Sequence, residues 1–211
     1  VNQIDYLEIN PWLVSAEELF GENIRHPSVR VITMDARKWI RKSPPVYDAI
    51  IVNTPDPSSA QINRYYTLEF FLQVNRALKP GGIFSISLSS TVNYMSNEAK
   101  KINGVVYQTL KEVFNQVEVI PGERNYYIAS QEGISIEISN LIAIAGIENE
   151  YVNPYYIDDD MLQQSNRQIL AEIADKSYAI NTDLKPQAYF LQIRYWLNIY
   201  GHKGWIIAVL I

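Results

Sequence analysis

The segment Tyr47-Asp48-Ala49-Ile50-Ile51-Val52, followed by Asn53-Thr54-Pro55-Asp56-Pro57, constrains this chain more than any other. Beyond Asp48 the run is continuously apolar, as a strand buried on both faces must be, and such strands belong to parallel sheets covered by helices. The two prolines then stop the strand, because each lacks a backbone N–H and holds φ near one value. The chain is therefore expected to hold a buried strand that ends in a rigid polar loop.

Elements alternate on either side of it, which is the pattern of a doubly wound α/β sheet. Gln3 to Ile9 is a short apolar run containing Glu8, and Pro11 suits the first turn of a helix over Trp12 to Phe20. Ser28 to Met34 is a strand with Asp35 at its end. Tyr66 to Leu78 has helical spacing, and Lys79-Pro80-Gly81-Gly82 is expected to stop that helix and turn into a strand over Ile83 to Leu88. Asn97 to Phe114 is a long amphipathic helix. Val117 to Ile120 and Tyr126 to Ala129 are expected to close the sheet as an antiparallel edge hairpin.

The character changes after Gly133. Glu137 to Ala145 ends at Gly146, Asp158 to Lys176 opens on three aspartates suited to a helix N-terminus, and Pro186 to Tyr200 is mostly apolar and aromatic. The division expected is therefore a nucleotide-type domain over 1–133 and a helical extension over 134–211. Because the chain begins at Val1 and stops within the apolar run Trp205 to Ile211, it reads as a fragment. The expectation is a cytoplasmic piece of a membrane-attached protein that starts at the second strand of its sheet.

With 211 residues, 47% of them apolar, there is enough material for one core with an appendage. Eighteen Lys and Arg against 23 Asp and Glu give a net charge of -5 without any basic run. That balance argues against nucleic acid as a partner and for a cationic one. There is no Cys, so disulfides, thiolate metal sites and a Cys nucleophile are excluded. His26 and His202 are too far apart for a local ligand motif, and no metal is expected.

In open parallel sheets the ligand lies beyond the carboxyl ends of the strands. Three strands here end in acidic or amide residues: Glu8, Asp35, and Asn53 followed by Asp56. One carboxylate accepts from both vicinal hydroxyls of a ribose, and Asp35 beside the small Ala36 accepts from an exocyclic amine while leaving room for a flat base. Each acid taken alone reads better as an N-cap or a solvated loop residue; their joint placement at one edge favours a nucleoside site. The glycine-rich turn that usually precedes such a ribose acid is missing before Glu8.

Asp5-Tyr-Leu-Glu-Ile-Asn-Pro11, Met34-Asp-Ala-Arg37, Tyr47 to Pro57 and Tyr66-Thr-Leu-Glu-Phe-Phe71 together resemble, in order, the motifs of spermidine synthases, the polyamine aminopropyltransferases. The resemblance runs to about Ser130. The tail around Asn181 to Tyr189 resembles a bacterial branch in which such a domain is joined to transmembrane helices. It implies a Rossmann-like methyltransferase fold and a substrate, decarboxylated S-adenosylmethionine, whose ribose is held by Glu8 and whose adenine lies at Asp35 and Ala36. It also implies an amine such as putrescine facing Asn53 and Asp56, with Tyr65 and Tyr66 lining its channel. Dimers are common in the family, so a homodimer is a further expectation.

One departure stands out. The family pattern has aspartate at both ends of the short loop, and this chain has Asn53 at the first. An amide takes up no proton at any useful pH, so Asn53 accepts a hydrogen bond and orients the nucleophile at most. Two other readings stay open for that reason: a methyltransferase using S-adenosylmethionine, since fold does not fix function, and a binding domain without turnover. Arg124 and Asn125 are expected to serve a turn.

Overall fold

The computed structural model describes residues 2–20, 26–89, 97–153, 155–174 and 177–200. The elements in chain order are β1 (Ile4–Glu8), α1 (Pro11–Phe20), β2 (Val29–Thr33), α2 (Ala36–Ile40), β3 (Tyr47–Val52), α3 (Ala60–Asn63), α4 (Leu68–Ala77) and β4 (Leu78–Ser89). They continue with α5 (Asn97–Lys111), β5 (Gln116–Ile120), β6 (Arg124–Ser130), α6 (Ile138–Ala145), α7 (Asp159–Ile173) and α8 (Gln187–Tyr200).

Local chemistry sets most helix ends. Asn10 accepts from the Trp12 backbone N–H at 3.0 Å, just ahead of Pro11 at the first helical position. Asp35 caps α2, Ser59 caps α3 and Asp158 caps α7, each accepting from the backbone N–H three residues on. Gly146 ends α6 at φ +61°, a left-handed cap that costs glycine nothing.

β1 and β2 pair in parallel, from Ile4 opposite Val29 to Glu8 opposite Thr33. A second group has the order β3-β4-β6-β5, with β3 and β4 parallel and the β4–β6 and β5–β6 ladders antiparallel. No backbone ladder joins β1 to β3 among the described residues. Side chains link them instead: the Tyr47 hydroxyl donates to Asp5 at 2.9 Å, accepts from the Trp39 indole at 2.7 Å, and Arg30 holds the same carboxylate through a fork of 2.9 and 2.7 Å. Asp5 and Tyr47 lie near the starts of their strands, so the two strand groups are joined at that end.

The turn expected at Lys79 to Gly82 takes a different form. Leu78 already pairs with Tyr47, and the ladder resumes at Ile83 opposite Ala49, so the four residues bulge out of one continuous strand. Gly81 at φ +72° allows the excursion, and Lys79 closes it on Asp48 at 2.8 Å. The short helices α2 and α3 are absent from the sequence reading, because five- and four-residue helices carry no periodic signal.

The core lies between α4, α5 and the second strand group. Phe70 and Phe71 of α4 pack on Phe84 of β4, whose ring also stacks on Phe114 at 5.9 Å, and Val74, Ile86, Leu88, Val106, Leu110 and Tyr127 belong to the same buried cluster. Each aromatic so buried contributes about 1.5–3 kcal/mol by removal from water. Ile169 and Ile173 of α7 and Ala188 of α8 join the same cluster. Phe190, Trp196 and Leu197 on the other side of α8 remain about half exposed. No helix among the described residues is long and apolar enough to cross a membrane. The apolar run at 205–211 and His202 lie outside the described residues.

Candidate active site

Glu8, Asp35 and Asn53 follow the carboxyl ends of β1, β2 and β3, and Ser89 ends β4 beside them. Glu8 is half-buried, and its Oε1 accepts from the Asn10 backbone N–H at 2.7 Å, which aims the carboxylate across the strand end. Asp35 both caps α2, accepting from Lys38 N–H at 2.8 Å, and pairs with Arg64 at 3.0 Å through the same Oδ1. Its Oδ2 has no bond among the described residues. Ala36 opens α2 directly beside it and is half-buried.

Tyr65 and Tyr66 occupy opposite halves of this edge. The Tyr65 ring packs edge-on to Phe70 at 5.3 Å and lies under the Arg64 guanidinium at 5.6 Å. Burial first, and the Asp35 carboxylate second, push its phenol above the ordinary value, with Glu8 adding in the same direction. Tyr65, Asp35 and Glu8 thus share one electrostatic neighbourhood. Tyr66 is fully buried. Its hydroxyl lies 2.9 Å from the carbonyl oxygens of both Pro55 and Ser87 and accepts from Thr54 at 3.4 Å. Burial pushes its pKa up to about 12, so it remains a donor and ties the proline loop to β4. The structure places the Tyr66 hydroxyl on backbone rather than in an open channel.

Within that loop Asn53 is exposed, and its side chain makes no hydrogen bond among the described residues. Asp56 is held by two donors at one oxygen: the Ser89 backbone N–H donates to its Oδ1 at 3.0 Å, and Arg124 Nη2 donates to the same oxygen at 2.7 Å. Arg124 also donates from Nε to Ser87 Oγ at 2.8 Å. Arg124 and Asn125 are the first two residues of β6, not a turn, and Asn125 is fully buried. Antiparallel pairing explains this: the strand that returns beside β4 must begin where β4 ends, at the site.

The segment after α7 closes the floor. Arg37 forks onto Asp183 at 2.8 and 2.5 Å, and Thr67 donates to the same carboxylate at 2.9 Å. Burial raises the Asp183 pKa, but Arg37 and Thr67 more than reverse this and leave it below the ordinary 3.8. Asn181 is fully buried and donates to Asn63 at 3.1 Å and to the Tyr66 carbonyl at 2.9 Å. Arg64 does not stand out in the sequence, and Arg37 and Asp183, though within segments singled out there, have no role assigned to them; the two arginines, two residues after Asp35 and two before Tyr66, carry a signal only once the helices are placed. No group of three or more His, Asp or Glu among the described residues is arranged to hold a metal ion.

Comparison with known proteins shows a family and a fold. The sequence model of the spermine/spermidine synthase domain matches residues 14–131. A polyamine aminopropyltransferase of Oceanobacillus iheyensis is 27% identical over 183 residues, which is 77% of this chain and 31% of that protein. The structure of spermidine synthase from Thermotoga maritima aligns with a TM-score of 0.62 at 19% identity, covering 82% of this chain and 61% of that one. Human methyltransferase-like protein 13, solved with SAH, aligns at 0.52 and 17% identity over 76% and 78%. The chain therefore spans about a third to three fifths of the length of the aminopropyltransferase relative and the spermidine synthase structure.

Proposed function

The chain belongs to the spermine/spermidine synthase family, and from that premise we propose that it is an aminopropyltransferase domain using decarboxylated S-adenosylmethionine. The observation that carries this reading is the gathering of Glu8, Asp35 with Ala36, and the Asn53 to Asp56 loop at the ends of parallel strands, joined through the Tyr65-Tyr66 pair. Glu8 takes the ribose hydroxyls, and Asp35 Oδ2 takes the adenine amine beside Ala36.

The amine nitrogen attacks the aminopropyl carbon bonded to the sulfonium. A C–N bond forms as the C–S bond breaks, the bonding pair stays on sulfur as the thioether of methylthioadenosine, and the new ammonium later loses one proton. Such a displacement needs a neutral amine held in line, and alignment alone removes much of the barrier. Tyr66 serves as a positioning residue, fixing Pro55 against β4 and so the loop that carries Asn53 and Asp56. Asn53 orients the nucleophile, and the proton leaves to water.

The Asn53 amide and the already paired Asp56 favour a second reading, a domain that binds these ligands without turnover. Calorimetric titration separates the readings from a methyltransferase. The proposed function predicts tighter binding of decarboxylated than of carboxylated S-adenosylmethionine, and the opposite preference contradicts it.

A further inference from the structure

Asp56 carries the single charge of the loop Asn53 to Ser58, and that charge is already matched. Arg124 sits directly opposite Ser89 in the β4–β6 ladder, so backbone pairing presents its side chain to the Asp56 carboxylate. The guanidinium is held by three acceptors: Asp56 Oδ1 at 2.7 Å, Ser87 Oγ at 2.8 Å and the Ser87 carbonyl at 3.2 Å. Both partners are mostly shielded, with side chains 29% and 17% exposed for Arg124 and Asp56. A cation seated this way is not a loose surface charge; displacing it breaks three bonds and leaves two cations competing for one carboxylate.

We propose that Arg124 is a specificity-determining residue that neutralises the one carboxylate of the loop, so that this domain does not favour a diamine acceptor over a monoamine. The inference rests on the aminopropyl-transfer reading of the site. A diamine at neutral pH brings a second positive charge that needs an unmatched carboxylate, and the loop offers an amide at Asn53 and a neutralised acid at Asp56. Asp56 Oδ2, without a bond among the described residues, remains an acceptor on a net-neutral pair. That suits the N–H of a neutral attacking amine better than it suits an ammonium.

The test is calorimetric titration of the wild-type chain, Arg124→Gln and Arg124→Lys with 1,4-diaminobutane and with 1-aminobutane. The wild type is expected to bind the two amines within about threefold of each other, a difference below 1 kcal/mol. Arg124→Gln is expected to gain at least about tenfold for the diamine and little for the monoamine, while Arg124→Lys keeps the wild-type ratio. A wild type that prefers the diamine by more than about threefold overturns the proposal, as does an unchanged ratio in Arg124→Gln or amine binding absent from every form. The wild-type comparison stands even if a variant does not fold. Titration of methylthioadenosine on the same samples keeps the two claims apart: its failure to bind contradicts the proposed function, and the amine ratio alone judges Arg124.

Discussion

Arg37 and Asp183 are 146 positions apart and meet through two charge-assisted bonds of 2.8 and 2.5 Å. Arg37 opens out of α2 one residue after Ala36, and Asp183 belongs to the segment that runs from α7 to α8. The pair therefore ties the segment between α7 and α8 to the Asp35–Ala36 side of the candidate site. Asp183→Ala is expected to lower stability by about 1–3 kcal/mol, because it removes the carboxylate acceptor from the partly buried Arg37 and the fully buried Thr67. Urea denaturation reads the loss as a lower midpoint.

Asn181 makes a stronger case for the same segment. Fully buried, it also accepts from the Ala188 N–H at 3.1 Å, and its own N–H donates to Thr109 at 3.0 Å. Asn181→Leu strands the Asn63 and Tyr66 acceptors together and is expected to cost about 2–4 kcal/mol. Cooperative unfolding at a midpoint equal to wild type would show that the segment does not brace Tyr66.

Helix α5 approaches this segment so closely that a Cβ on Gly104 would overlap the Tyr178 ring. Elsewhere in a helix Gly→Ala gains about 1 kcal/mol in propensity. Here Gly104→Ala is expected to destabilise, and thermal melting gives the sign directly.

Acid has a defined effect. The Asp183 carboxyl lies below the ordinary 3.8 once Arg37 and Thr67 have outweighed burial, and the Asp5 carboxyl is lowered by Arg30. A lowered folded-state pKa means that the stabilisation is complete above 3.8 and is lost as pH falls through the folded value. Stability is expected to be flat from pH 7 to about 5 with respect to these two groups and to fall below about 4. Asp183→Asn removes part of that acid slope, measured as chemical-denaturation midpoints against pH.

The strands that build the site were legible because their chemistry is local. The apolar run Tyr47 to Val52, the proline loop after it and the acids at Glu8 and Asp35 carry their meaning within a few residues. Arg124, Arg64 and Asp183 were not legible, because their roles come from partners 68, 29 and 146 positions away that only the folded ladders bring together. The Lys79 to Gly82 bulge shows the intermediate case. The residues announce a turn, yet pairing of Leu78 with Tyr47 decides that the turn lies inside a strand.

Replacing Asn53 by Asp probes the departure from the family pattern. If proton removal limits the rate, Asn53→Asp is expected to raise transfer by about 10²-fold or more, the usual scale of general-base assistance. Equal rates show that water suffices.

The most direct test of the whole account mixes the chain with decarboxylated S-adenosylmethionine and 1-aminobutane and follows methylthioadenosine and the aminopropylated amine by chromatography. The account predicts the two products in equal amounts, and at least about a tenfold loss of rate in Glu8→Gln, which gives up a charge-assisted bond to the ribose. Bound nucleoside with no release of methylthioadenosine, or a rate unaffected by Glu8→Gln, would contradict it.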